Sequence, residues 1–87
     1  MTVREALIKV RERLATPGVW VPHTPMDDTD CIVTAIVRCE LPDKVRRGVW
    51  GSLGSLMEEG VEITRWNDSH TLPEILALLD RAIEKAE

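Results

Sequence analysis

Apolar residues recur at helical spacing along most of this chain, and the breaks in that rhythm mark its segments. Val3, Ala6, Leu7, Val10 and Leu14 fall on one stripe at intervals of three and four, while Arg4, Lys9, Arg11, Glu12 and Arg13 lie largely off it. The pattern predicts an amphipathic helix running to about Ala15. Thr2-Val3-Arg4-Glu5 has the spacing of a capping box and opens it; Thr16-Pro17-Gly18 closes it. Ile8 falls nearly opposite the stripe and is expected on the surface.

The middle of the chain is less regular. Val19-Trp20-Val21 is short, β-prone and bounded by Gly18 and Pro22, and residues 22–30 read as a loop with two prolines and three aspartates. Residues 31–39 suit a buried strand or a buried helix by pattern alone. On a wheel only Thr34 and Arg38, with Glu40 beyond, interrupt an apolar surface, which favours a central, buried helix with Asp30 as its N-cap. From Pro42-Asp43 onward, Val45, Val49, Leu53 and Leu56 recur every three or four positions. Gly48, Gly51 and Gly54 weaken a helix there, each costing about 1 kcal/mol relative to Ala, so a kink or two short helices stands level with one continuous rod. Gly60 reads as a stop signal.

Val61-Glu62-Ile63-Thr64-Arg65-Trp66 alternates apolar and polar, so it could pair with Val19–Val21 as a two-stranded β ribbon. Thr71-Leu72-Pro73-Glu74 is a second capping box, with proline in the first turn where its missing N–H costs nothing. The helix it opens should bury Leu72, Ile75, Leu76, Leu79, Ala82, Ile83 and Ala86. Leu78 sits roughly a quarter-turn off that stripe, so it is either covered by a loop or free to meet a partner.

Composition narrows the class. An 87-residue chain with 44% hydrophobic residues fits one small globular domain spanning 1–87. Its aromatic residues are Trp20, Trp50 and Trp66, which should supply much of the core. A net charge of −4 disfavours nonspecific nucleic-acid binding. No apolar run nears the roughly 18–20 residues that span a bilayer, and the N-terminus lacks a secretory pattern, so a cytoplasmic setting is expected. Cys31 and Cys39 would lie about 12 Å apart along a helix axis, too far for a disulfide, and read as reduced, buried thiols.

Four motifs carry a resemblance: Gly18-Val19-Trp20, Cys31-Ile32-Val33-Thr34-Ala35-Ile36, Trp66-Asn67-Asp68, and Thr71-x-x-Glu74 with its leucine-rich helix. Together they resemble a family of small actinobacterial and actinophage proteins of unknown function. The chain has Val33-Thr34 where that family's pattern leads one to expect a glycine. The resemblance implies a fold and a genomic setting, and no activity.

Candidate chemistry is sparse. Cys31 at a helix start, with His23 as base and Asp27 or Asp28 orienting it, is the one arrangement that looks like nucleophilic catalysis. It lacks a recognisable oxyanion hole, and Asp30 opposes thiolate formation. Cys31, Cys39, His23 and His70 do not have the paired short spacings of a zinc site. Asp27, Asp28 and Asp30 lack the spacing of a calcium loop and suit helix capping. Arg38, Lys44, Arg46 and Arg47 form a local basic patch diluted by Glu40 and Asp43. Trp66-Asn67-Asp68 reads as structural, Trp66 covering the core while Asn67 and Asp68 make an Asx-type turn into the last helix.

The expectation is a mainly α, compact bundle of about four helical segments, with the two-stranded ribbon as an option. No enzyme, metal or cofactor signature stands out. The expected role is non-enzymatic protein–protein interaction through Ile8 and Leu78, with a host protein or a second copy as partner. The alternative is a small thiol-dependent enzyme or redox protein using Cys31 with His23.

Overall fold

A computed structural model of the chain describes residues 1–21, 31–57 and 62–86, apart from the side chain of Thr64. Among these residues there are five helices: α1 Val3–Ala15, α2 Ile32–Arg38, α3 Asp43–Gly54, α4 Ile63–Ser69 and α5 Leu72–Lys85. Helix α1 begins as its sequence dictates. The Thr2 hydroxyl accepts the Glu5 N–H at 3.1 Å, and Glu5 Oε1 accepts the Thr2 N–H at 3.2 Å. At α5 the carboxylate arm of the box is well formed: Glu74 Oε1 accepts from the Thr71 N–H at 2.9 Å and from the Thr71 hydroxyl at 3.0 Å.

Helix α1 is the hub. It packs most extensively on α5 and also against α3 and α2, while α3 closes a triangle by meeting α5. The core is built from Ala6, Leu7, Val10 and Leu14 of α1, Val49 and Leu53 of α3, and Ile75, Leu78, Leu79 and Ala82 of α5, joined by Ile32, Ala35 and Ile36 of α2. The helix expected around residues 31–39 forms as α2, and Ile32, Ala35 and Ile36 give it a larger share of fully buried residues than any other described helix. Helix α2 has only seven residues and lies against one side of the triangle, leaving Val37 60% exposed. It stops where Glu40 adopts a left-handed φ of 51°, and Lys9 Nζ of α1 donates to the Cys39 carbonyl at 3.3 Å across its C-terminal end.

Helix α3 is continuous rather than broken. Gly48 is needed there: a Cβ at this position would lie 2.4 Å from Val3 Cγ2, so the glycine lets α3 approach the start of α1. Gly51 and Gly54 meet no comparable neighbour. The three tryptophans are all half-buried and rim the core rather than fill it. Cys31 and Cys39 are buried thiols, neither in a disulfide.

Two further expectations are overturned. Residues 63–69 form α4, so the β ribbon does not form; the described residues contain no strand. The alternation of residues 61–66 masked a second periodicity. Ile63, Trp66, Asn67 and His70, at i, i+3, i+4 and i+7, are the inward positions of a helix, with two polar residues among them. Leu78 is only 3% exposed within the single chain. Helix α5 is wedged between α1 and α3, so its buried face is broader and rolled toward Leu78, and Leu72, Leu76 and Ile83 move to the half-buried rim. The Cα radius of gyration, 11.8 Å, is close to the roughly 12 Å expected for a folded chain of this length.

Candidate functional site around Asn67

Three of the resemblance-bearing motifs, around positions 20, 32 and 67, are far apart in sequence, and the structure ties them together at one side chain. Asn67, on α4, is fully buried, the one polar residue among the described residues to be so. Its Oδ1 accepts from the Trp20 indole N–H at 3.0 Å and from the Ile32 backbone N–H at 3.1 Å. Two N–H donors on one atom fix the amide's orientation. Its Nδ2 donates to the Val21 carbonyl at 3.4 Å and lies 3.5 Å from Asp68 Oδ1.

This network explains how α2 starts. Its N-cap residue is Cys31, which makes no side-chain capping bond; the first N–H of the helix is satisfied by Asn67, 35 residues away in sequence. Asp30 was the expected cap and lies outside the described residues. Removing the Asn67 amide would strand a buried N–H, at a typical cost of about 1–3 kcal/mol. The expected Asx-type turn is thereby corrected: Asn67 lies inside a helix and caps another one.

The neighbouring residues close α4. Trp66 and His70, one turn apart, stack with centroids 4.0 Å apart and planes inclined by 17°. His70 Nδ1 lies 2.6 Å from the Trp66 carbonyl, which only accepts, so Nδ1 carries the proton and donates. Ser69 Oγ lies 3.0 Å from the same nitrogen and donates to the Trp66 carbonyl at 3.2 Å. The polar residues of this region therefore hold the chain's own backbone.

Cys31 Sγ lies 3.3 Å from Thr34 Oγ1, a hydroxyl on the first turn of α2. His23, Asp27 and Asp28, the proposed base and its orienting carboxylates, lie outside the described residues. Among the described residues no group of three or more His, Cys, Asp or Glu side chains could hold a metal ion. In the basic patch, Arg46 Nη2 pairs with Asp43 at 2.8 Å, one turn away on α3. No helix of the described residues is long and apolar enough to cross a membrane.

The two residues expected to meet a partner separate. Ile8 is 37% exposed on the outer side of α1, whereas Leu78 is core. Val37, which the wheel for residues 31–39 placed inside, is the more exposed apolar residue. Asn67 was missed as a hub because nothing within four residues of it signals bonds to positions 20 and 32.

No curated protein and no solved structure matches the chain. A family described as of unknown function, DUF6197, does match over residues 1–85, and the chain belongs to that family.

Proposed function

We propose that this chain is a non-enzymatic, cytoplasmic protein-binding module, encoded by an actinophage or its actinobacterial host. The observation that carries the reading is the exposure of Ile8 and Val37, at 37% and 60%, on α1 and α2, two helices that pack on each other. The polar side chains around Asn67 are engaged in holding backbone, which fits a scaffold whose outer face does the work. The phage or actinobacterial setting rests on the motif resemblance. A host protein is the preferred partner, and a second copy of the chain is the other.

The test compares wild type with an Ile8→Glu/Val37→Glu variant, both expected to fold because these side chains face solvent. Affinity capture from host lysate, with mass spectrometry of what is retained, should return a protein that the variant loses. Sedimentation of wild type alone reports the second copy. A capture profile identical for both proteins, with both sedimenting as monomers, rejects the reading. Rapid labelling of native Cys31 at neutral pH, faster than a free thiol, would instead favour a thiol enzyme using Cys31 and His23.

A further inference from the structure

The helices divide into two groups by how they are held. Helices α1, α3 and α5 pack mutually, each against the other two. Helix α4 packs principally on α2, which in turn sits on α1. Apart from Asn67, α4 buries no side chain completely among those described; Ile63, Trp66 and His70 are half-covered. Its N-cap residue, Glu62, makes no side-chain capping bond. At seven residues it is also too short to persist as an isolated helix. Ile63 and Trp66 rest half-covered on the core, and the fully buried anchor of α4 is the Asn67 amide, seated on Trp20, Val21 and Ile32.

The junction with α5 points the same way. His70 and Thr71 are both extended, with φ/ψ of −122°/160° and −89°/164°. Glu74 closes the start of α5 using Thr71 alone. Helix α5 therefore keeps its N-terminal cap whether or not α4 is in place. Two extended residues between a self-capped helix and a short one have the make-up of a hinge.

We infer that α4 is a flap latched by Asn67, opening about the His70–Thr71 joint while the α1/α3/α5 bundle stays folded. Closed, the amide satisfies the Trp20 indole and the first N–H of α2. Open, it uncovers the N-terminal end of α2 with Cys31 and Ile32, together with the inner side of Trp66. The flap is a local opening unit in the sense measured by native-state hydrogen exchange, where short elements with few buried contacts open independently of the core.

The experiment is hydrogen exchange by mass spectrometry on the full chain, without denaturant, for wild type, Asn67→Ala and Trp20→Phe. The last removes one donor to the latch and retains an aromatic ring. In wild type the α4 amides should exchange faster than those of α1 and α5. Trp20→Phe should accelerate α4 and the Ile32 amide selectively, and Asn67→Ala should do so by on the order of tenfold or more. Thiol labelling gives a second readout: the latch variants should speed modification of Cys31 more than that of Cys39, at the far end of α2. If α4 exchanges together with α1 and α5 in wild type, there is no flap. If Trp20→Phe raises exchange equally throughout the chain, the Asn67 network is part of the global core and the inference fails. Should Asn67→Ala not fold, Trp20→Phe decides alone by the same criterion.

Discussion

Helices α5 and α4 lie side by side in sequence, separated by two residues, yet they are stabilised by opposite means. Helix α5 has fourteen residues, closes its own N-terminus through Thr71 and Glu74, and buries Ile75, Leu78, Leu79 and Ala82 between two other helices. Helix α4 has seven residues, makes no N-terminal side-chain cap, and is anchored by one buried amide bonded to positions 20, 21 and 32. The first is held by local capping and a broad, fully buried apolar face, the second by the half-covered Ile63 and Trp66 together with long-range polar geometry. Hydrophobic area is forgiving, because a helix can roll and still bury it. A hydrogen bond of 3.1 Å to a buried donor, the Ile32 N–H, is not, so Asn67 fixes where α4 meets α2.

The contrast is sharpest for core truncation, where the largest effect is expected. Leu78→Ala should destabilise the fold by about 2–5 kcal/mol, the usual range for a buried leucine whose site cannot fully collapse. In a domain of this size that lowers the melting midpoint by roughly 8–40 degrees. The matching truncation on α4, Ile63→Ala, removes a half-buried side chain and should cost clearly less. Thermal denaturation of the two variants measures the difference directly. Equal losses would mean that α4 is as deeply embedded as α5. A Leu78→Ala protein with an unshifted midpoint would place Leu78 outside the core.

How much of this could be read from residues alone follows the same division. Both capping boxes were legible because their partners are three residues apart, and the stripe of α1 was legible because every member is apolar. Leu78 was misplaced because a wheel shows one face per helix, whereas α5 has two neighbours. Residues 61–66 were misread because the inward face of α4 includes Asn67 and His70, which a hydrophobic pattern scores as outward. Gly48 reads as a helix breaker until Val3 is found beside it. The meeting of positions 20, 32 and 67 has no local signal at all, although the same three segments had stood out as motifs.

A second, intermediate effect tests the bundle side of the comparison. Gly48→Ala would improve helix propensity by about 1 kcal/mol in isolation. Here the new Cβ meets Val3 Cγ2 at 2.4 Å, and valine's branched side chain has few rotamers with which to retreat. Overpacking of this kind typically costs about 1–3 kcal/mol, so the net effect should be destabilising. Adding Val3→Ala opens the space and should recover most of the loss. The four proteins form a double-mutant cycle whose coupling is read by urea denaturation. If Gly48→Ala alone stabilises the protein, α1 and α3 are not in close approach at this point.

The smallest expected effect concerns the two self-made caps. Glu5 and Glu74 are both held below the ordinary carboxylate value of 4.5. For Glu74 the main cause is the hydrogen bond from the Thr71 backbone N–H, then that from the Thr71 hydroxyl; slight burial opposes the shift and nearby His70 assists it. For Glu5 the corresponding Thr2 bonds dominate. A carboxylate whose folded value lies below its unfolded one contributes stability that is fully present above about pH 4.5 and is lost as pH falls through the folded value. Both side chains are exposed, so the contribution is small and screened by solvent. A Glu5→Gln/Glu74→Gln protein keeps neutral acceptors at both positions, since glutamine also serves a capping box, and has nothing there to titrate. Melting temperatures followed from about pH 6 to about pH 3 should fall for both proteins, as other carboxylates protonate, but more steeply for wild type. Parallel curves would show that the boxes hold their helices without help from the charge, leaving capping by neutral hydrogen bonds as the whole of their effect.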